Sequence, residues 1–139
     1  MEPSEYIYKK NLKKIKSKKI SVANLSLQQW CASEEFKKPW DLGICTSVFQ
    51  YINTSDLEKV IPIMAERFRY LYFSVPTNKE LDRQIEEMDF KDTYALRRTK
   101  ETYQELIKPH FAIVGSRLLE SKFFFTEKNS HFSEFLFRH

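Results

Sequence analysis

Residues 40–48, "WDLGICTSV", form an almost continuous apolar run, and a regular helical stripe begins a few residues later. A short apolar run after Pro39 predicts a strand. Because it is continuous rather than alternating, it predicts a strand covered on both faces, as in a parallel sheet with helices on each side. From Thr54 or Ser55 a helix is expected. Leu57, Val60, Ile61, Met64, Ala65 and Phe68 recur at i, i+3, i+4, i+7, i+8 and i+11, the strongest periodicity in the chain. Pro62 lies inside this stripe and predicts a kink. "YLYFSVP", residues 70–76, reads as an aromatic-rich strand ended by Pro76.

The flanking segments extend the alternation. Residues 4–17 read as a helix capped by Ser4, with Tyr8, Leu12 and Ile15 on one face. "KKISVANL" reads as a short strand, and "SLQQWCASEEF" as a short helix or turn starting at Ser26. Residues 78–109 are polar and largely helical. Leu81, Ile85 and Met88 form one stripe, Leu96, Tyr103, Leu106 and Ile107 another, with a break at "MDFKDTYALRR". "HFAIVGSRLLESK" reads as one strand and "SHFSEFLFRH" as a last one, joined by "FFFTEKN" as an antiparallel pair. The expected fold is one α/β domain over residues 1–139: a parallel sheet flanked by helices and closed by a C-terminal antiparallel strand pair.

The composition narrows the functions open to such a fold. With 42% hydrophobic and 15% aromatic residues among 139, the chain can bury a core. Gly43 and Gly115 are its two glycines, too few for a glycine-rich loop that cradles phosphate. Cys31 and Cys45 have neither metal nor disulfide spacing, and Cys45 reads as a small buried hydrophobe. No run reaches the roughly 20 apolar residues of a membrane helix, and no secretory h-region follows Met1, so a cytoplasmic protein is expected.

The net charge of +4 is concentrated in "KKNLKKIKSKK", residues 9–19, with seven lysines and no acid. Such a run can track nucleic-acid phosphate, but without arginine and with little aromatic interleaving a solvated helix face is the reading preferred. His110, His131 and His139 are scattered, so no metal site is expected, and no Ser-His-Asp or Cys-His arrangement is visible.

The order of these segments, with "WDLGICTSVFQYI", resembles the class I S-adenosylmethionine-dependent methyltransferases. There, an aromatic-Asp pair opens the fourth strand and a V-x-x-Y step precedes the next helix. "LEKVIPIMAERFRYLYFSVP" is similar to that helix and the fifth strand, and the closing segments to the sixth and seventh. "MEPSEY" resembles the end of the second strand and "ISVANLSLQQW" the third strand and its loop. The resemblance implies a truncated Rossmann-like sheet. The first strand and glycine-rich turn would lie upstream of Glu2, and the fourth strand would keep an exposed edge.

The resemblance also implies site residues. Glu2 would accept the cofactor's ribose hydroxyls, Asn24 and Leu25 would contact adenine, and Thr46, Ser47 and Gln50 would line the fourth strand's tip. Plainer readings stand beside these. Glu2 suits a helix start, Asn24 a cap, and the hydroxyls and amide of residues 46–50 can close the next turn. Tyr51 reads as core rather than a stacking platform. Arg97 and Arg98 could select an acidic acceptor or lie on a solvated helical cover. The catalytic residue is not readable, because methyl transfer needs chiefly an aligned nucleophile.

The functional expectation is therefore a class I methyltransferase fragment, acting on an unknown acceptor and deficient in cofactor capture as this chain. Its alternatives are a non-catalytic module, dimeric through the exposed sheet edge, and a basic nucleic-acid binder.

Overall fold

The computed structural model describes residues 1–34, 37–126 and 128. The sequence reads as one domain; contacts divide the chain into two compact units, Met1–Lys38 and Pro39–His139.

The first unit holds two helices. Helix α1, Glu5–Lys14, starts where Ser4 accepts the Ile7 amide, and Glu5 and Lys13–Lys14 complement its dipole. Its lysines are exposed, and Lys9 pairs with Glu5 at 2.7 Å. Leu12, expected on the apolar face, is exposed. Helix α2, Leu27–Ala32, begins at a capping box between Ser26 and Gln29 and buries Leu27, Trp30 and Cys31. The strand expected at "KKISVANL" does not form. That segment instead bonds to the start of the chain: the Glu2 amide donates to the Ala23 carbonyl at 3.0 Å, and Asn24 Nδ2 donates to the carbonyls of Glu2 and Pro3 at 2.8 and 3.3 Å.

The second unit is a mixed α/β arrangement. Strand β1, Trp40–Thr46, runs into a 3-10 turn, Phe49–Tyr51, and then into α3, Thr54–Arg67. Asn53 caps α3 by accepting the Asp56 amide at 2.8 Å. Strand β2, Phe68–Ser74, follows α3 directly, then come α4, Asn78–Met88, and α5, Lys100–Ile107. Strands β3, Phe111–Ile113, and β4, Leu118–Ser121, complete the described elements.

The sheet order is β1-β2-β4-β3. Strands β1 and β2 are parallel, while β4 is antiparallel to both β2 and β3, so β1, β2 and β3 point the same way. The segment read as one strand, residues 110–122, is thus two. The amides of Val114 and Gly115 both donate to the Leu118 carbonyl, closing a turn between β3 and β4. The final strand expected at residues 130–139 lies outside the described residues.

Helix α3 supplies more buried apolar residues than any other described element. Leu57, Val60, Ile61, Met64 and Ala65 are all buried, and each large side chain contributes about 1.5–3 kcal/mol on burial. The stripe packs on one side of the sheet, where Leu71, Leu119 and Phe111 are also buried. Ser121 ties β4 to this helix, its hydroxyl donating to the Ala65 carbonyl at 2.6 Å. Gly43 is required here: a Cβ on it would stand 2.8 Å from the Phe68 ring.

The other side of β1 departs from expectation. Trp40, Leu42 and Ile44 are exposed, Ile44 at 72%, so this strand is covered on one face and not two. An unbroken apolar run puts Leu42 and Ile44 on one face and Gly43 and Cys45 on the other, and only the second face meets a helix layer.

Candidate functional site

The carboxyl ends of β1, β2 and β3 lie at one end of the sheet, the end at which open α/β sheets gather ligands. Thr46 closes β1 and is exposed. Ser47 follows with φ 54°, a left-handed conformation that costs a non-glycine residue about 1 kcal/mol or more. It is held there by its amide, which donates to the Ser74 carbonyl at the tip of β2 at 2.8 Å.

This reversal drives the chain into the 3-10 turn. Phe49 buries itself edge-on against Phe73, ring centroids 4.8 Å apart. Gln50 is 2% exposed. Its carbonyl accepts the Leu96 amide at 2.7 Å, but its side-chain Oε1 has no hydrogen-bond partner among the described residues. Tyr51, read as core, is exposed; its hydroxyl donates to Asp92 at 2.7 Å. That carboxylate, and then burial, push the phenol above its ordinary pKa.

Arg98 fixes the turn from the far side. Its guanidinium donates to the Phe49 carbonyl at 3.2 Å, the Ile52 carbonyl at 2.7 Å and Thr54 Oγ1 at 3.3 Å, and it lies over the Tyr103 ring. The side chain is 8% exposed and has no carboxylate in ion-pair range among the described residues. A buried cation is tolerated here because three oxygens and an aromatic face replace its hydration. The acceptor-selecting role considered for Arg97 and Arg98 does not fit this geometry. Arg98 is spent on the turn, and Arg97 pairs with Asp82.

Beside the tips opens a cleft of about 280 Å³ between the ends of β2 and β3 and helix α5. Ser74, Thr77, Tyr103 and Ser116 line it, with the cations of Lys100 and Arg117. Glu80 also faces it, held below its ordinary pKa first by the Thr77 amide, which it accepts at 2.6 Å. The sequence reading missed Lys100 and Arg117. The signal available was "VGSR", a small-residue turn between two apolar runs, which makes residues 110–122 a hairpin.

The six residues singled out from sequence fall in two sets. Thr46, Ser47 and Gln50 stand together at the tip of β1. Glu2, Asn24 and Leu25 belong to the other unit. There Glu2 Oε1 accepts the Ser4 amide at 2.9 Å, and the Asn24 amide nitrogen donates to two backbone carbonyls, so it is not free to meet an adenine. Leu25 is half-buried. Among the described residues no group of histidines, cysteines and carboxylates could hold a metal ion, and no helix is long and apolar enough to cross a membrane. No protein-family model, curated protein or solved structure matches the chain.

The implied cofactor can be tested against these side chains. The orphaned Gln50 Oε1 fits a hydrogen-bond donor such as an amine or ammonium, and the neighbouring hydroxyls of Thr46 and Ser47 fit polar edges of the same ligand. The glycines do not fit a cradle. Gly43 is filled by Phe68, and a Cβ on Gly115 would meet only the Leu118 Cβ, at ordinary contact distance.

Proposed function

We propose that the chain is a methyltransferase-like module of the class I S-adenosylmethionine-dependent type, retaining the strand-tip wall of the cofactor site without a glycine cradle. The observation that carries this reading is the sheet itself. The parallel pair β1 and β2, joined through α3, has the arrangement the resemblance implies for the fourth and fifth strands, while β3 and β4 both fall within the segment it likens to the sixth. A strand-tip turn with an unpartnered buried amide oxygen supports it further.

When bound, the cofactor would supply an activated methyl group on a sulfonium. The chain's own contribution is positional. Thr46, Ser47 and Gln50 hold polar edges of the ligand, and Arg98 keeps their turn in place. The neighbouring cleft takes the acceptor, with Lys100 and Arg117 favouring one that carries negative charge. Lacking a backbone cradle, the chain binds weakly and transfers no methyl group unaided.

The test is an amide-resolved NMR titration with S-adenosylhomocysteine. Shifts confined to Thr46–Tyr51 and Ser74, saturating in the millimolar range, are expected. Absence of shifts there overturns the ligand assignment, and micromolar affinity by calorimetry overturns the assigned deficiency.

A further inference from the structure

The outer edge of β1 presents a pairing surface whose sequence is complementary to itself. The hydrogen-bond phase of the strand follows from two facts. Thr46 is registered with Ser74, and the Ser47 amide donates to the Ser74 carbonyl. In a parallel ladder this directs the backbone groups of Asp41, Gly43 and Cys45 toward β2 and those of Trp40, Leu42, Ile44 and Thr46 away from it. The described residues offer those outward amides and carbonyls no partner.

Natural edge strands are protected by an inward charge, a proline, a bulge or shortness. Asp41, the one charge of β1, lies near its start on the face of Gly43 and Cys45; beyond it the strand has no proline or bulge and runs in unbroken register with β2 over its seven residues. The exposed side chains along it are apolar, Leu42 at 52% and Ile44 at 72%.

We propose that this edge pairs with β1 of a second copy, antiparallel about a twofold axis at Gly43. That register sets Leu42 opposite Ile44 of the second copy and Trp40 opposite Thr46, so every outward amide and carbonyl of the strand is used. Asp41 faces Cys45 and no like charge. Shifting the axis to Asp41 sets two aspartates together, and shifting it to Leu42 or Ile44 leaves outward groups unpaired. In the Gly43 register the two glycines form the closest, non-hydrogen-bonded pair. The two apolar strips of Leu42 and Ile44 then merge on one face of a continuous eight-stranded sheet. This pairing is independent of whether the strand tips bind a cofactor.

Sedimentation equilibrium of the full chain is expected to give twice 16.7 kDa. Amide exchange read by NMR is expected to slow at Leu42 and Ile44 as concentration rises, while Gly43 and Cys45, bonded to β2 already, stay constant. The register is read with Asp41→Cys, which should form an interchain disulfide with the native Cys45 that is lost in Asp41→Cys/Cys45→Ala. A monomer up to millimolar concentration, exchange at Leu42 and Ile44 that ignores concentration, or a cross-link that survives loss of Cys45, each overturns the proposal.

Discussion

Arg98→Ala tests how the candidate site is held. Among the described residues the Ile52 carbonyl has Arg98 as its one partner, at 2.7 Å, whereas the Phe49 carbonyl also accepts the Ile52 amide at 3.2 Å. Removing the guanidinium orphans the first carbonyl, at about 1–3 kcal/mol, and weakens the second by less. The space left beside the Tyr103 ring adds a cavity cost, and recovery of the cation's desolvation offsets part of the total. The net expectation is a loss of about 2–3 kcal/mol. Urea denaturation followed by circular dichroism measures it. Amide exchange at Leu96, which donates to the Gln50 carbonyl, localises it to the turn. Arg98→Lys should recover less than half, because a single ammonium cannot span both carbonyls as the planar fork does. A loss under about 0.5 kcal/mol with Leu96 protection unchanged would refute the clamp.

Three further outcomes follow from buried groups. Gly43→Ala should cost about 1–3 kcal/mol, because its Cβ would stand 2.8 Å from the Phe68 ring; an unchanged denaturation midpoint contradicts the packing. Tyr103→Phe should leave stability unchanged or raise it by up to about 1 kcal/mol, since the buried hydroxyl has no partner among the described residues, and a marked loss in thermal denaturation would reveal one. Burial raises the Cys45 thiol from 9.0 to about 12. Above about pH 9 the unfolded thiol ionises while the folded one keeps its proton. Stability therefore falls as pH rises through that window, by at most about 1.4 kcal/mol per unit. The difference in denaturation midpoint between the wild-type chain and Cys45→Ala, followed from about pH 8 to about pH 11, should show this slope; a flat difference denies the burial.

Helix α3 was legible in the sequence because its signal is local: Leu57 to Ala65 repeat at helical spacing and each lands in the core. Ser4 and Ser26 marked helix starts for the same reason, through bonds to residues three positions on. The apolar run at β1 was legible as a strand, but its one-sided cover was not. Leu42 and Ile44 are as apolar as the face that meets α3, and nothing within the strand says which face a helix will reach. The β3–β4 turn was misread because the apolar residues on both sides of Gly115 outweighed one glycine.

The candidate site was the least legible part. The role of Arg98 rests on oxygens more than forty positions away in sequence, and the exposure of Tyr51 on a 3-10 turn that no periodicity marks. Thr46, Ser47 and Gln50 come from reading residues 40–48 as a strand whose carboxyl end would gather a ligand, and β1 does end at Thr46. The left-handed backbone of Ser47 carries no sequence signature, since the usual residue for it is glycine.

The most direct measurement of the functional account is the S-adenosylhomocysteine titration repeated on Gln50→Met, a side chain of similar length without the amide oxygen. The account predicts a folded protein whose amides at Thr46–Tyr51 no longer respond to the ligand. Identical shifts in the variant and the wild-type chain would contradict the assignment of Gln50 to the ligand and, with it, the half-site at the strand tips.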